Sequence, residues 1–445
     1  MNNAIESFME AAATAPLPDA WYDQTRSIYL VQDTKGERLI LNETQLARKL
    51  RIVGFSGRIS KGDTASAIDR AIHTIQQDRN VHFTGPLAGY SEGLREFNGK
   101  RVLVTGGPRI IVPAEGAFET LKALFEGVLG AEQAAYYYGW LRVSYDALRR
   151  SEPRPGQAIV FAGPRDCGKS LIQNIVTEIL GGRAAKPYQS MTGGTAFNAD
   201  LFGAEHLTVE DEQPSTDIRA RRNFGSEIKK VTVNEWQRLH AKHRDAIMLK
   251  PFWRISVSIN DEAENLLVLP PLDDSIRDKL MIFHAKRPEG GFDTATPEKR
   301  AEYWAKLTGE LPAFLHWLTA VYQIPEEQVC PRFGVKGYLN PSIVRALNEQ
   351  APEARLLLLI DAFFWGGHGD AGAELRLTAE QITASLTGIG SGVEHEARRL
   401  LSWNGACGTY LARIAEVHPE RVQQQRHSHV REWLIHRAAA VEGAG

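Results

Sequence analysis

The densest phosphate-binding potential in the chain lies in Gly163-Pro164-Arg165-Asp166-Cys167-Gly168-Lys169-Ser170, with Leu171 following. Glycine at both ends lets backbone N–H groups turn inward on phosphate oxygens. Lys169 offers a point charge to the terminal phosphates, and the Ser170 hydroxyl is a ligand for Mg²⁺. The spacing G-x-x-x-x-G-K-S carries this meaning only between a strand and a helix. Both are legible: residues 158–162 are a short apolar run suited to a buried parallel strand, and residues 171–180 are an amphipathic helix ended by Gly181-Gly182. ATP with Mg²⁺ is the expected ligand pair. Cys167, inside the loop, reads as a small space-filling residue.

Hydrolysis of a bound nucleotide needs carboxylates near the metal and the attacking water. His206-Leu-Thr-Val-Glu210-Asp211-Glu212 supplies them, with residues 207–209 as a strand and the acids at its carboxyl end, the end that faces a ligand crevice in open α/β sheets. Asp211 is assigned to the Mg²⁺ shell through water, alongside Ser170, and Glu212 to polarising the lytic water. Glu210 competes for either role. Between the two motifs there is room for one helix and one extra strand, the mark of additional-strand ATPases. Residues 252–260 form a β-branched strand ending in Asn260, whose amide can bond a terminal phosphate or the attacking water. Further on, Arg277 precedes the apolar strand 280–283.

Residues 219–254 hold ten lysines and arginines against three acids, in a chain whose net charge is −2. Such a local excess is the electrostatic footprint of phosphate-backbone contacts. Within it, residues 237–249 read as strand, tip, strand, with the tip at 241–245 carrying Lys242, His243 and Arg244.

The order of these motifs resembles that of the superfamily 3 helicases of small DNA viruses, phages and plasmids, which are AAA+-related hexameric ring motors. The resemblance covers about residues 156–290 and is nearest to the helicase part of phage and plasmid primase-helicases. It implies an additional-strand P-loop ATPase core. It places the family's phosphate loop on Gly163, Gly168, Lys169 and Ser170, and its second motif on Asp211 and Glu212. It places the family's motif C asparagine on Asn260, and its arginine finger, which completes the neighbouring subunit's site, on Arg277. Lys242-His243 match the Lys-His pair of the hairpin that tracks single-stranded DNA through the ring. Larger relatives carry a primase upstream; the residues before the helical lead-in show no primase acidic motif, so a separate primase or polymerase is the expected partner.

The elements that must position these groups fall into four segments: a small α/β region at 1–115, a helical lead-in at 116–155, the ATPase core at 156–330 and a C-terminal region at 345–440. In the first, residues 28–31, 101–104 and 109–112 read as strands, and 43–50 and 69–77 as helices. Residues 117–150 read as helical throughout. In the last segment, helices at 377–386, 393–402 and 408–415 precede a basic strand-turn-strand, the order of a winged helix. Residues 409–415 would be its recognition helix and 425–429 its wing tip. DNA binding and protein contact are both open to that domain.

Composition fits this organisation. The chain has 445 residues, 43% hydrophobic and 24% charged, which excludes a disordered tail or a fibre. Its three cysteines, Cys167, Cys330 and Cys407, form no disulfide framework, and the start has no basic and apolar leader. The longest apolar run, 356–365, is interrupted by Asp361 and cannot cross a bilayer. A cytoplasmic protein without membrane partners is expected. Two other readings remain open: a motor of the same fold serving initiation, packaging or defence, and a P-loop small-molecule kinase. The inserted strand, the basic hairpin and Arg277 argue against the kinase.

Overall fold

The computed structural model describes residues 16–152, 154–210, 212, 218–240, 246–292, 294–366, 372–427 and 430–437. The chain forms two compact units. One comprises residues up to 212, 217–260 and 274–338; the other contains 261–273 and the chain from 339 onward.

The first unit begins with β1 (Ala20–Asp23), β2 (Ile28–Gln32), β3 (Arg38–Leu41), α1 (Glu43–Ile52), α2 (Ala67–Asp78) and β4 (Asn80–Val81). The sheet order is β3-β2-β1-β4. Each helix starts where a side chain can occupy its orphan N–H groups. Asn42 and Gln45 form one reciprocal capping box, Ser66 and Asp69 another. Helix α2 then buries Ile68, Ala71, Ile72 and Ile75, one apolar stripe at helical spacing. A second small sheet, β5 (Phe83–Gly85), β6 (Gly93–Phe97) and β7 (Lys100–Val104), runs in the order β5-β7-β6.

The strand expected at 109–112 does not form. Arg109 N donates to Gly181 O, Ile111 O accepts from Tyr145 Oη, and Ala114 N donates to Pro312 O. These backbone groups are satisfied one at a time by separate segments, so no ladder can be built, while Ile110 and Ile111 pack on the main core.

Helix α3 (Glu119–Arg149) is the lead-in, and it is interrupted at Gly130, where φ is 73° and ψ 159°. It buries residues on nearly every side, including Leu124, Phe125, Tyr137, Trp140 and Leu148, as a helix enclosed by protein must. It packs in the cluster that also holds Ile159, Phe161, Ile172 and Phe283. Each such side chain contributes about 1.5–3 kcal/mol of burial, so the lead-in is part of the core.

That core is a five-stranded sheet. Its elements are β8 (Ala158–Gly163), α4 (Lys169–Ile179), β9 (Ala184–Ala185), α5 (Tyr188–Met191), β10 (His206–Glu210), α6 (Ile218–Val233), β11 (Gln237–Leu239), β12 (Ile247–Leu249), β13 (Arg254–Asn260), α7 (Asp274–Arg277) and β14 (Leu280–His284). The order is β14-β8-β13-β10-β9, every pair parallel. The extra strand lying between the two motifs in sequence, β9, takes the sheet edge; the strand inserted between β8 and β10 in space is β13. Strands β11 and β12 pair separately and antiparallel, Leu239 opposite Ile247. The tip residues Lys242, His243 and Arg244 lie outside the described residues. Helices α8 (Pro297–Gly309) and α9 (Leu311–His316) complete the unit.

A buried ion pair fixes the N-terminal region to this sheet. Glu205, fully buried, accepts from Arg183 Nε at 2.9 Å and from Gly89 N at 2.8 Å, and Arg183 Nη1 donates to Gly106 O at 2.9 Å. Removing one partner of such a pair costs about 3–5 kcal/mol, because the other charge is stranded.

The second unit contains α10 (Pro341–Glu349), α11 (Pro352–Trp365), β15 (Glu374–Thr378), α12 (Ala379–Thr387), α13 (Glu394–Leu400), α14 (Ala406–Val417), β16 (Val422–His427) and β17 (Val430–His436). Its antiparallel sheet runs β15-β17-β16 and covers a core that includes Leu356, Ile382, Leu411 and Trp433. Thr378 caps α12, as its position before the apolar stripe predicts. Of the residues expected as a wing tip, 425–429, positions 428 and 429 lie outside the described residues. Gln425, Arg426 and His427 remain in the ladder, opposite Glu432, Arg431 and Val430.

Candidate functional site

Parallel pairing brings the carboxyl ends of β8, β13 and β10 side by side. Gly163 stands opposite Asn260, and Glu210 opposite Ser258. Gly163 admits no side chain, since a Cβ there would meet Ala285 O at 2.2 Å. Gly168 has a φ of 99°, left-handed backbone that suits glycine, and a Cβ would also come within 2.8 Å of Phe292 Cζ. These two residues therefore set the loop's path.

Lys169 opens α4 and is buried. Its Nζ donates to Gly163 O at 2.9 Å, Pro164 O at 2.7 Å and Asn260 Oδ1 at 3.2 Å. Cys167 Sγ lies 3.8 Å from the same ammonium, and the side chain is fully buried, in keeping with a space-filling role. Pro164, Arg165 and Asp166 form the exposed crest; Ser170 is exposed and Leu171 half-buried. No side chain caps α4, whose N-cap is Gly168. Its first-turn N–H groups are the donors that an anion meets at a helix N-terminus. Loop, ammonium and uncapped helix thus fit a bound polyphosphate, with the Ser170 hydroxyl exposed beside it for a cation.

The acidic motif is described at Glu210 and Glu212; Asp211 lies outside the described residues. Burial holds the Glu212 carboxyl above the usual glutamate range, and the Lys186 ammonium partly offsets this. Arg277 sits at the exposed C-terminal end of α7. The structure therefore joins Gly163, Lys169 and Asn260 by direct contact or pairing; Arg277 is exposed.

Several neighbours escaped the sequence reading. Lys186 is one, and Tyr188 another, its phenol pushed up by burial and by the Glu212 charge. A buried polar chain ties the loop helix to both functional strands. Gln173 Nε2 donates to Ser256 Oγ at 2.7 Å, His206 Nε2 lies 2.7 Å from the same oxygen, and His206 Nδ1 lies 2.7 Å from Thr177 Oγ1. Burial pushes the His206 imidazole down to about 3, so it stays neutral there. The visible signal was Gln173, polar on the apolar face of α4 one turn after Lys169.

A testable consequence concerns Glu212. If its carboxylate is the base, turnover falls as pH drops through its raised pKa, so the acid limb of the kcat profile lies above the ordinary glutamate range. Replacing Lys186 with Met removes the offset and moves that limb to higher pH. The folded state also binds this proton more tightly than the unfolded state, so the ionised carboxylate costs stability once pH rises above the ordinary glutamate value. Glu212→Gln is accordingly expected to melt higher than wild type at neutral pH, with the gap closing in acid. Thermal melts and a kcat–pH series check both; an acid limb unmoved by Lys186→Met would count against the assignment.

Fold and site together define a mixed α/β protein with a five-stranded parallel sheet and a glycine-rich strand-to-helix loop at its carboxyl edge. Residues 161–277 match a family of unknown function, DUF5906, a span that includes the loop, the acidic strand, the β11–β12 ladder, Asn260 and Arg277. Over most of its length the chain is similar in fold to the apo C-terminal region of NrS-1. One such structure matches at 14% identity and a TM-score of 0.53, covering 95% of this chain and 96% of that one. Its A form matches at 13% and 0.52, covering 95% and 97%. A structure described as SCCmec type IV Cch, an active helicase, is similar at 10% identity over 90% of this chain and 73% of that one, with a TM-score of 0.33, too distant to carry an argument. No curated protein matches. Among the described residues, no helix is long and apolar enough to cross a membrane.

Proposed function

We propose that this chain is an ATP-dependent helicase or translocase of the superfamily 3, AAA+-related type, acting on single-stranded or forked DNA in replication of a phage, plasmid or other mobile element. The observation that carries the reading is the 3.2 Å contact between Lys169 Nζ and Asn260 Oδ1 at the carboxyl end of the sheet, with Glu212 just beyond the next strand. On this reading Lys169, at the start of α4, is the phosphate-binding cation, Asn260, at the end of β13, the polar sensor of the terminal phosphate, and Glu212, after β10, the base. The placement of β13 between β8 and β10 supports an additional-strand core over a small-molecule kinase.

In this reading the N–H groups of the loop and Lys169 hold the phosphates. Ser170 and, through water, Asp211 would hold Mg²⁺, which would supply charge neutralisation at the phosphates. Glu212 accepts the proton of the attacking water and Asn260 orients it. Arg277, exposed on α7, is the finger offered to a neighbouring copy. A head-to-tail interface of that kind closes into a ring, hexameric by the resemblance. Lys242, His243 and Arg244 would contact the DNA strand. In the second unit, the succession of β15, α12, α13, α14, β16 and β17 supports a winged helix. Its helix α14 carries Thr409 beside a cleft of about 680 Å³ also lined by Arg413 and Arg431. A separate primase or polymerase is the proposed partner, and the cytoplasm the proposed compartment.

The test is turnover of MgATP with and without single-stranded DNA. DNA-stimulated hydrolysis is the expected result. Transfer of phosphate to a small acceptor without any DNA response would replace this reading with the kinase, and DNA-independent hydrolysis with no unwinding would favour a motor of another purpose.

A further inference from the structure

A nucleoside triphosphate is linear, with its terminal phosphate at one end and its base at the other. The groups that would act on the terminal phosphate, Asn260 at the end of β13 and Glu212 after β10, belong to strands on one side of the loop strand β8. The nucleoside must then leave on the other side, over β14 and the segment after it. That segment is held closely against the loop. Ala285 N donates to Ala162 O at 2.7 Å, Lys286 N to Val128 O at 2.8 Å, and Arg287 Nη2 to Arg165 O at 3.1 Å. It ends on Phe292, whose ring lies over Gly168 with Val128 beside it. Tyr303 stands 6.0 Å away, centroid to centroid, and both rings are half-buried. An aromatic surface is thus fixed against the phosphate loop, on the side from which the sugar and base would emerge.

We propose that Phe292, backed by Val128 and Tyr303, is the base subsite: the planar ring of the nucleoside stacks on it. The proposal rests on reading the loop as a nucleoside triphosphate site. A stack of this kind uses the face of the base, which every nucleotide offers, and its loss weakens binding without touching the phosphate contacts.

The test compares two ligands on the full chain, MgATP and inorganic tripolyphosphate, the second having the phosphates and no nucleoside. Phe292→Ala is expected to weaken ATP binding roughly 5- to 100-fold while leaving tripolyphosphate within about twofold, and Phe292→Trp to restore ATP affinity. Unchanged ATP affinity in folded Phe292→Ala overturns the proposal. So does an equal loss for both ligands, which would make Phe292 a prop for the loop. Should Phe292→Ala fail to fold, Phe292→Leu keeps the apolar packing but offers no aromatic face, and the same comparison applies. Wild-type protein that binds neither ligand removes the nucleotide reading itself, and wild type that binds tripolyphosphate as tightly as ATP removes only the subsite.

Discussion

Lys169→Ala is expected to abolish ATP turnover in a protein that still folds. The ammonium is buried and meets Gly163 O, Pro164 O and Asn260 Oδ1, so it sits where the loop and the end of β13 converge. A preorganised cation aimed at developing charge in a water-poor site is worth more than the same group in water, and loss of one such donor slows turnover by about 10²–10³-fold. The substitution also leaves three acceptors without this donor, at a cost of roughly 1–3 kcal/mol for each one that water does not reach. Melting temperature and turnover must therefore be read together. Lys169→Arg keeps the charge but not the compact geometry, and should recover stability better than rate. Near-normal turnover in folded Lys169→Ala would end the ATPase assignment.

The second large effect is expected at the basic ladder. Strands β11 and β12 are short, three residues each, and paired through Leu239 and Ile247. Their connection carries Lys242 and His243. On the proposed reading these side chains contact the DNA backbone and bases, Lys as a point charge and His as a donor or stacking group. A charge-assisted contact contributes about 1.5–3 kcal/mol, so loss of one per subunit weakens strand binding by about tenfold or more. In a ring all copies are lost together. The Lys242→Ala/His243→Ala double variant should therefore lose duplex unwinding and DNA stimulation, while DNA-independent hydrolysis and assembly persist, since the proposed reading gives neither residue a part in nucleotide binding. The dependence of single-stranded DNA affinity on salt should also flatten, since fewer phosphate contacts release fewer counterions. Wild-type unwinding by the double variant would reduce the ladder to a solvated turn and leave the helicase reading on the ATPase motifs alone.

What the sequence determined by itself was local. The glycine-lysine-serine spacing, the apolar strand before it and the amphipathic helix after it specify a strand-loop-helix unit, and the observed β8 and α4 meet that description within two residues. Thr378 and Asn42 mark helix starts because a cap is a contact between residues three apart. The basic excess at 219–254 is a property of composition and needs no fold.

The tertiary structure decided the rest, for reasons of distance along the chain. Residues 109–112 look like a strand, yet Arg109 N bonds Gly181 O and Ile111 O accepts from Tyr145 Oη, on separate segments, so no ladder forms. Asn260 and Lys169 are 91 positions apart and meet only because β13 is inserted beside β8. The raised pKa of Glu212 comes from burial, which no spacing reveals. Phe292 reaches the loop only because β14 flanks β8 and carries the chain back over Gly168. Spacing can specify a contact within a turn or a helix; contacts between strands follow from the sheet order, which is settled by how the whole hydrophobic core packs.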